Sequence, residues 1–166
     1  MNQQLCPCGS KKSAKYCCEI YLSGKQKPET AEKLMRSRYS AFYYGNVDYL
    51  IATLHPDKRE ASDRQELTKS INNTQWLNLT IIDRQKGKKN DTKGIVEFEA
   101  VYQTNQPGQL HERSRFVKLD GQWFYVDGDI LPGTIPKPKA PCWCGSGKKY
   151  RQCHYMKKNI SVINTA

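Results

Sequence analysis

No window of this sequence approaches the eighteen or so apolar residues that a membrane-spanning helix needs. No apolar stretch of the secretory type precedes Cys6 either, so the expectation is a protein of the reducing cytoplasm. Histidine is scarce, with three residues in 166, and no acidic residue occurs from 133 to 166. There is no nucleophile set beside a base, no glycine-rich phosphate loop and no open metal site, which argues against an enzyme. No helical segment carries the stripe of Arg and Asn that reads base edges in a groove, so sequence-specific nucleic-acid recognition is the weakest functional class.

Cysteine, by contrast, is plentiful. In a reducing compartment, seven cysteines in a chain of 166 residues are more naturally metal ligands than disulfides. They fall into two copies of one pattern. Cys6-Pro7-Cys8-Gly9-Ser10 aligns with Cys142-Trp143-Cys144-Gly145-Ser146, which brings Lys11 and Lys12 near Lys148 and Lys149, and Tyr16 near Tyr150. Cys17-Cys18 then falls on Cys153-His154, with eight residues between the second and third ligands in both copies. A disulfide cannot use His154 in place of Cys18, whereas zinc accepts either. The expected cofactor is therefore Zn²⁺, two ions per chain, held by Cys6, Cys8, Cys17 and Cys18 and by Cys142, Cys144, Cys153 and His154. Four ligands close each coordination sphere, which makes the sites structural. The Gly-Ser after each Cys pair suits a tight turn whose backbone N–H groups point at sulfur.

The formal charge of +11 divides unevenly. Residues 1–27 carry +4, residues 133–166 carry +7, and residues 28–132 hold fifteen charges of each sign. The net charge thus belongs to the two cysteine-rich ends, and Lys11, Lys12, Lys148 and Lys149 become candidate partner contacts.

At these cysteines the chain resembles the SEC-C motif, the zinc module at the tail of the SecA translocation ATPase. Leu34-Met35-Arg36-Ser37-Arg38-Tyr39-Ser40-Ala41-Phe42, Asp48-Tyr49-Leu50, His111-Glu112-Arg113-Ser114-Arg115-Phe116 and Trp123-Phe124-Tyr125-Val126-Asp127-Gly128 are similar to the bacterial YchJ family, over nearly the whole chain. That resemblance implies a middle domain of the nuclear transport factor 2-like, or cystatin-like, type.

The residues lead to the same fold class. Apolar positions at helical spacing predict helices over 29–44, 47–54 and 61–71, and period-two patterns predict strands over 76–83, 94–104, 110–119 and 122–127. Helices followed by an antiparallel meander make an α+β domain, with helices on one face of a curved sheet. The expected organisation is a zinc module at 1–27, the α+β domain at 28–132, and a second zinc module with its tail at 133–166. In the middle, His55 reads as a helix-end cap or turn residue and His111 as exposed, and Asp127-Gly128-Asp129 reads equally as a turn or as the presentation of a carboxylate. Glu97 and Glu99 are expected to pair with Arg113 and Arg115 across strands. Trp76, Trp123 and Tyr125 read as packing residues.

Arg38 falls between Leu34 and Phe42, at the centre of the first helix's apolar stripe, and Arg36 falls outside it. A guanidinium aimed into a core needs a carboxylate or several carbonyls, so Arg38 is expected to be buried with Glu112 or, second, Asp127. The alternative is an anion-binding role in an open cone. For the whole protein the leading expectation is an adaptor whose basic modules meet an acidic protein, the ribosome or its RNA, or anionic lipid. The alternative is a small-ligand binder or enzyme using the cone.

Overall fold

The computed structural model describes residues 4–105, 107–134, 136–144 and 146–153. Its helices are α1 (Glu19–Leu22), α2 (Ala31–Tyr44), α3 (Val47–Ala52), α4 (Asp63–Asn73) and α5 (Tyr150–Cys153). Between α4 and α5 come the strands β1 (Gln75–Lys86), β2 (Lys93–Gln103), β3 (Pro107–Leu119) and β4 (Gln122–Leu131). Helix α2 begins at Ala31 rather than residue 29, because Thr30 is extended and its side chain accepts the Lys33 N–H at 3.1 Å. It ends where Gly45 takes φ 75°, a left-handed cap open to glycine. Helix α3 stops two residues before the expected position 54. Thr53 and His55 leave it to pair with β4, through Tyr125 N–H to Thr53 O at 2.9 Å and His55 N–H to Tyr125 O at 2.8 Å. The His55 ring accepts the Asp57 N–H at 3.2 Å, the capping role its sequence position suggested.

The four strands form one antiparallel sheet in chain order, β1-β2-β3-β4. Asp120 (φ 47°) and Gly121 (φ 76°) make the two-residue turn from β3 to β4, the geometry that Asp-Gly favours. Register breaks in β1 at Trp76/Asn78 and Ile81/Asp83, and between β3 and β4 at Arg115/Phe116, bend the sheet as bulges do. Leu34, Met35 and Tyr39 of α2 pack on Leu79, Val96, Phe98, Phe116 and Trp123 from its inner face. This is the α+β architecture expected, helices on a curved antiparallel sheet.

Strand β4 runs on to Leu131, so Asp127-Gly128-Asp129 is ladder and not a turn. Two residues apart, both aspartates lie on one face, where Arg115 takes them both: its Nε donates to Asp127 and its Nη1 to Asp129 at 2.5 Å. Asp127 is therefore not the partner of Arg38. Nor do Glu97 and Arg113 pair, although the register sets them opposite. Glu97 meets His111 instead, with Oε1 2.9 Å from Nε2, while His111 Nδ1 lies 2.7 Å from Pro132 O. His111 is accordingly half-buried between two acceptors rather than exposed.

Burial lowers the His111 pKa, but the Pro132 carbonyl and Glu97 outweigh it, so the folded value lies above the ordinary one. The stabilisation is then fully present below the unfolded pKa of about 6.5 and is lost as pH rises through the folded value. Urea midpoints should fall between pH 6 and pH 8 by an amount worth under about 1 kcal/mol, and His111→Gln should remove that part of the fall. A pH dependence equal in the two proteins would exclude the histidine as its source.

Candidate functional site

The first cysteine cluster is assembled by a short bridge, Leu5 with Ser13, which folds the Cys6–Cys8 knuckle back over the turn leading to Cys17 and Cys18. Cys6 N–H donates to Lys12 O at 2.8 Å. The four sulfurs all lie within 4.8 Å of one another, with Cys8 Sγ 3.6 Å from Cys17 Sγ and Cys17 Sγ 4.0 Å from Cys18 Sγ. Sulfurs about 2.3 Å from a tetrahedral zinc are separated by about 3.8 Å, so the cluster has the dimensions of a thiolate cage. None of the seven cysteines is in a disulfide.

The electrostatics fit the same description. Hydrogen bonds from Cys18 and Cys6, and then from the Ser10 hydroxyl and backbone N–H, hold the Cys8 thiol far below its ordinary value against the effect of burial. Burial pushes Cys17 up to about 11, and Cys18 is pushed up through its bonds to Cys6 and Cys8. The Cys8 thiolate forms readily, and Cys17 and Cys18 ionise only when positive charge arrives, as a metal brings it.

The second cluster repeats the first almost bond for bond. Pro141 bridges Lys149, Cys142 N–H donates to Lys148 O at 2.8 Å, and Cys144 Sγ lies 3.4 Å from Cys142 Sγ and 3.5 Å from Cys153 Sγ. Ser10 Oγ is 3.1 Å from Cys17 Sγ, and Ser146 Oγ is 3.3 Å from Cys153 Sγ. Burial pushes Cys142 up to about 12. For Cys144 burial also acts upward, but the Ser146 hydroxyl and N–H prevail and hold it below its ordinary value. His154, the expected fourth ligand, lies outside the described residues. The repeat also refines the sequence alignment: Lys12 corresponds to Lys148, Lys15 to Arg151, and Lys11 (φ 60°) to Gly147 (φ 73°), while Tyr150 stands where the first copy has Ala14. Lys11, Lys12, Lys148 and Lys149 are all exposed.

The two copies differ in what surrounds them. Cys6, Cys8, Ala14 and Cys18, none more than 5% exposed, belong to the same buried cluster as Leu34, Tyr39, Leu79 and Trp123. A Cβ on Gly9 would stand 2.6 Å from the Leu79 carbonyl oxygen, so this knuckle rests on β1 with no room to spare. Arg36, which periodicity placed outside the apolar stripe, reaches across instead: its Nη1 donates to Cys8 O at 2.6 Å and its Nε to Glu32 at 2.9 Å. No sequence signal pointed to that bond. In the second copy Cys144 and Cys153 are half-exposed.

The third feature is a cavity of about 480 Å³ between α2, α3, α4 and the inner face of the sheet. Arg38 and Glu112 both line it, and Asp127 does not. Arg38 is 8% exposed, as its place in the stripe requires, but among the described residues no carboxylate lies within ion-pairing distance of it. Its Nη1 donates to Leu50 O and Thr53 Oγ1, both at 2.7 Å, and its guanidinium stacks 4.8 Å from the centre of the Tyr125 ring. Burial lowers its pKa to about 10, which leaves it charged at neutral pH. Glu112 is reached only through Tyr125: Tyr125 Oη donates to Glu112 Oε1 at 3.0 Å, and Ser114 Oγ donates to the same oxygen at 2.7 Å. Trp123 is a packing residue, fully buried with its Nε1–H on Glu29 O at 3.0 Å, but Trp76 and Tyr125 face the cavity.

Residues 30–128 match the family model described as YchJ, middle NTF2-like domain, and residues 139–155 match that of the SEC-C motif. A UPF0225 protein of Serratia proteamaculans is 46% identical over 155 residues, spanning 90% of this chain and 97% of its own. Another, from Photorhabdus laumondii, is 46% identical over 157 residues, spanning 90% and 98%. Among solved structures, the solution structure of a SEC-C motif containing protein from Rhodopseudomonas palustris superposes with a TM-score of 0.71 at 29% identity, covering 78% of this chain and 100% of that one. The crystal structure of a SEC-C motif containing protein from Psychrobacter arcticus gives 0.66 at 29% identity, covering 90% and 94%. Among the described residues no helix is long and apolar enough to cross a membrane.

Proposed function

This chain belongs to the YchJ family, and from that premise we propose that it is a zinc-stapled adaptor whose two basic modules dock onto an acidic protein. Each thiolate cluster holds one structural Zn²⁺, with His154 completing the second. The observation that supports docking is the repeat itself. Where the two copies correspond bond for bond, exposed cations recur at matched places, Lys12 with Lys148 and Lys15 with Arg151. A lysine that only offset thiolate charge would sit against sulfur, whereas these side chains lie open to solvent. Cations presented twice on rigid knuckles suit bivalent attachment to one anionic surface.

Capture of partners from a bacterial extract tests this. Charge reversal at Lys11, Lys12, Lys148 and Lys149 should reduce capture about tenfold at low salt, and reversal at Lys86, Lys88, Lys89 and Lys93 should reduce it far less. Wild-type capture should weaken steeply as salt rises. Equal losses from the two sets would reduce the attraction to net charge alone, and recovery only of RNA or anionic lipid would replace the protein partner.

A further inference from the structure

A buried cation with no carboxylate in ion-pairing range is an expensive thing to fold around. Arg38 is one. Helix α2 carries it into the cavity, and among the described residues Nη1 is its one group in contact with hydrogen-bond acceptors. The Leu50 carbonyl and Thr53 hydroxyl anchor that nitrogen, and the Tyr125 ring supports the guanidinium plane from one side. Nε and Nη2 donate to no atom of the described residues. The guanidinium is thus held rigidly by one corner with a two-pronged edge unspent, which is the preorganisation that bidentate recognition of a carboxylate uses. Glu112 is occupied by the hydroxyls of Tyr125 and Ser114 and does not take that edge.

Around Arg38 much of the wall is apolar and aromatic, while Asp63, Glu66 and Ser70 line the α4 side and Glu112 and Ser114 line the β3 side. Trp76 meets Tyr39 and Phe42 at ring-centre distances of 5.8 Å each, and Tyr102 at 5.6 Å, while Leu50 and Leu110 close other parts of the wall. At about 480 Å³ the space lies within the roughly 300–1,000 Å³ typical of small-molecule sites. Two wall residues also keep a buried polar atom without a partner, Tyr39 Oη and Trp76 Nε1. Such orphans are costly in a finished core and accumulate where a site is built for something other than stability. α4 contributes no buried residue to the molecule, and Leu67 is its apolar contribution to the wall.

We propose that this cavity binds a small apolar monocarboxylate, its carboxylate paired with the free edge of Arg38 and its hydrocarbon or aromatic body against Trp76, Tyr39 and Phe42. Guanidinium pairing supplies the specificity, and burial of the body supplies most of the affinity.

The test uses the full-length, metal-loaded protein with two matched probes, 3-phenylpropionate and its primary amide, titrated while the Arg38 Nε–H and Trp76 Nε1–H resonances are followed by NMR. The acid should shift both signals and bind at least tenfold more tightly than the amide. Arg38→Met, which keeps the bulk and removes the charge, should abolish that preference while leaving the melting temperature unchanged or higher, because an unpaired buried charge has been removed. Equal binding of acid and amide by the wild type, no binding of either, or an acid preference that survives in folded Arg38→Met would each overturn the proposal. If Arg38→Met does not fold, the acid-to-amide ratio and the Arg38 resonance of the wild type still decide it.

Discussion

Cys18→Ala should cost the protein its whole fold, whereas Cys144→Ala should cost it only the second knuckle. Both substitutions remove one ligand from a cage of the same design. A structural zinc contributes roughly 10–16 kcal/mol of apparent binding free energy, against a total stability of about 5–15 kcal/mol for a domain of this size. The difference lies in where that energy is lodged. Cys18 is 1% exposed among the residues on which α2 and the sheet close, and the knuckle it anchors receives Arg36 from α2 on its Cys8 carbonyl. Without the metal, the thiols that remain are buried polar groups in the centre of the core. Native mass spectrometry should find two zinc ions on the wild type and one on each variant that folds. Near-ultraviolet circular dichroism, which senses the packed Trp123, should collapse for Cys18→Ala and persist for Cys144→Ala. A Cys18→Ala protein that has lost its ion yet melts like the wild type would show that the first cage is an ornament on an independent core.

Gly94→Val should be the most damaging change to the sheet that leaves every metal ligand in place. Gly94 is the second residue of β2, where the chain comes back from β1, and a Cβ there would stand 2.5 Å from Gly87 Cα and 3.0 Å from Ala31 Cβ. Neither neighbour is the movable end of a long side chain. The Gly87 backbone is fixed by its own bond, Ala31 N–H to Gly87 O at 2.9 Å, which docks the first turn of α2 onto the β1–β2 connection. Overpacking at a site that cannot yield costs about 3 kcal/mol, enough to lower the melting temperature of a protein this size by roughly 10 °C. Gly121→Ala, at a turn with nothing within 4 Å, should cost less, since only its positive φ resists. A Gly94→Val protein no less stable than Gly121→Ala would show that the contact relaxes freely.

The parts of this molecule that chemistry imposes locally could be read from the residues. Cysteine spacing is one, because thiols at two-residue and adjacent separations come together, within 4.8 Å, whatever lies around them. The periodicity that buries Arg38 is another, since it depends only on helical geometry. What surrounds these groups was a different matter. The acceptors for Arg38 are a carbonyl and a hydroxyl at the end of α3, and nothing in their residue types marks them as such. Asp-Gly-Asp at 127–129 has turn composition but lies in β4, because Arg115 on the neighbouring strand satisfies both carboxylates. Likewise His111 owes its burial to Glu97 and Pro132, one from the adjacent strand and one from beyond the end of β4. The place of the first cluster within the core follows from Leu79, Val96 and Trp123, all far along the chain.

The bulges that bend the sheet also decide its company. A meander of four strands has two open edges, β1 and β4, and an open edge invites pairing with another chain, the first step toward strand-swapped aggregates. On β1 the ladder is broken twice within eight residues, at Trp76/Asn78 and Ile81/Asp83, and its far end is lined by exposed Asp83, Arg84 and Lys86. On β4 the backbone of Tyr125 is already taken on its outer side by Thr53 and His55. An incoming strand therefore meets an irregular ladder on β1 and, on β4, a backbone already engaged at Tyr125. The same backbone irregularities that shape an interior for Arg38 also work against strand pairing with a second copy.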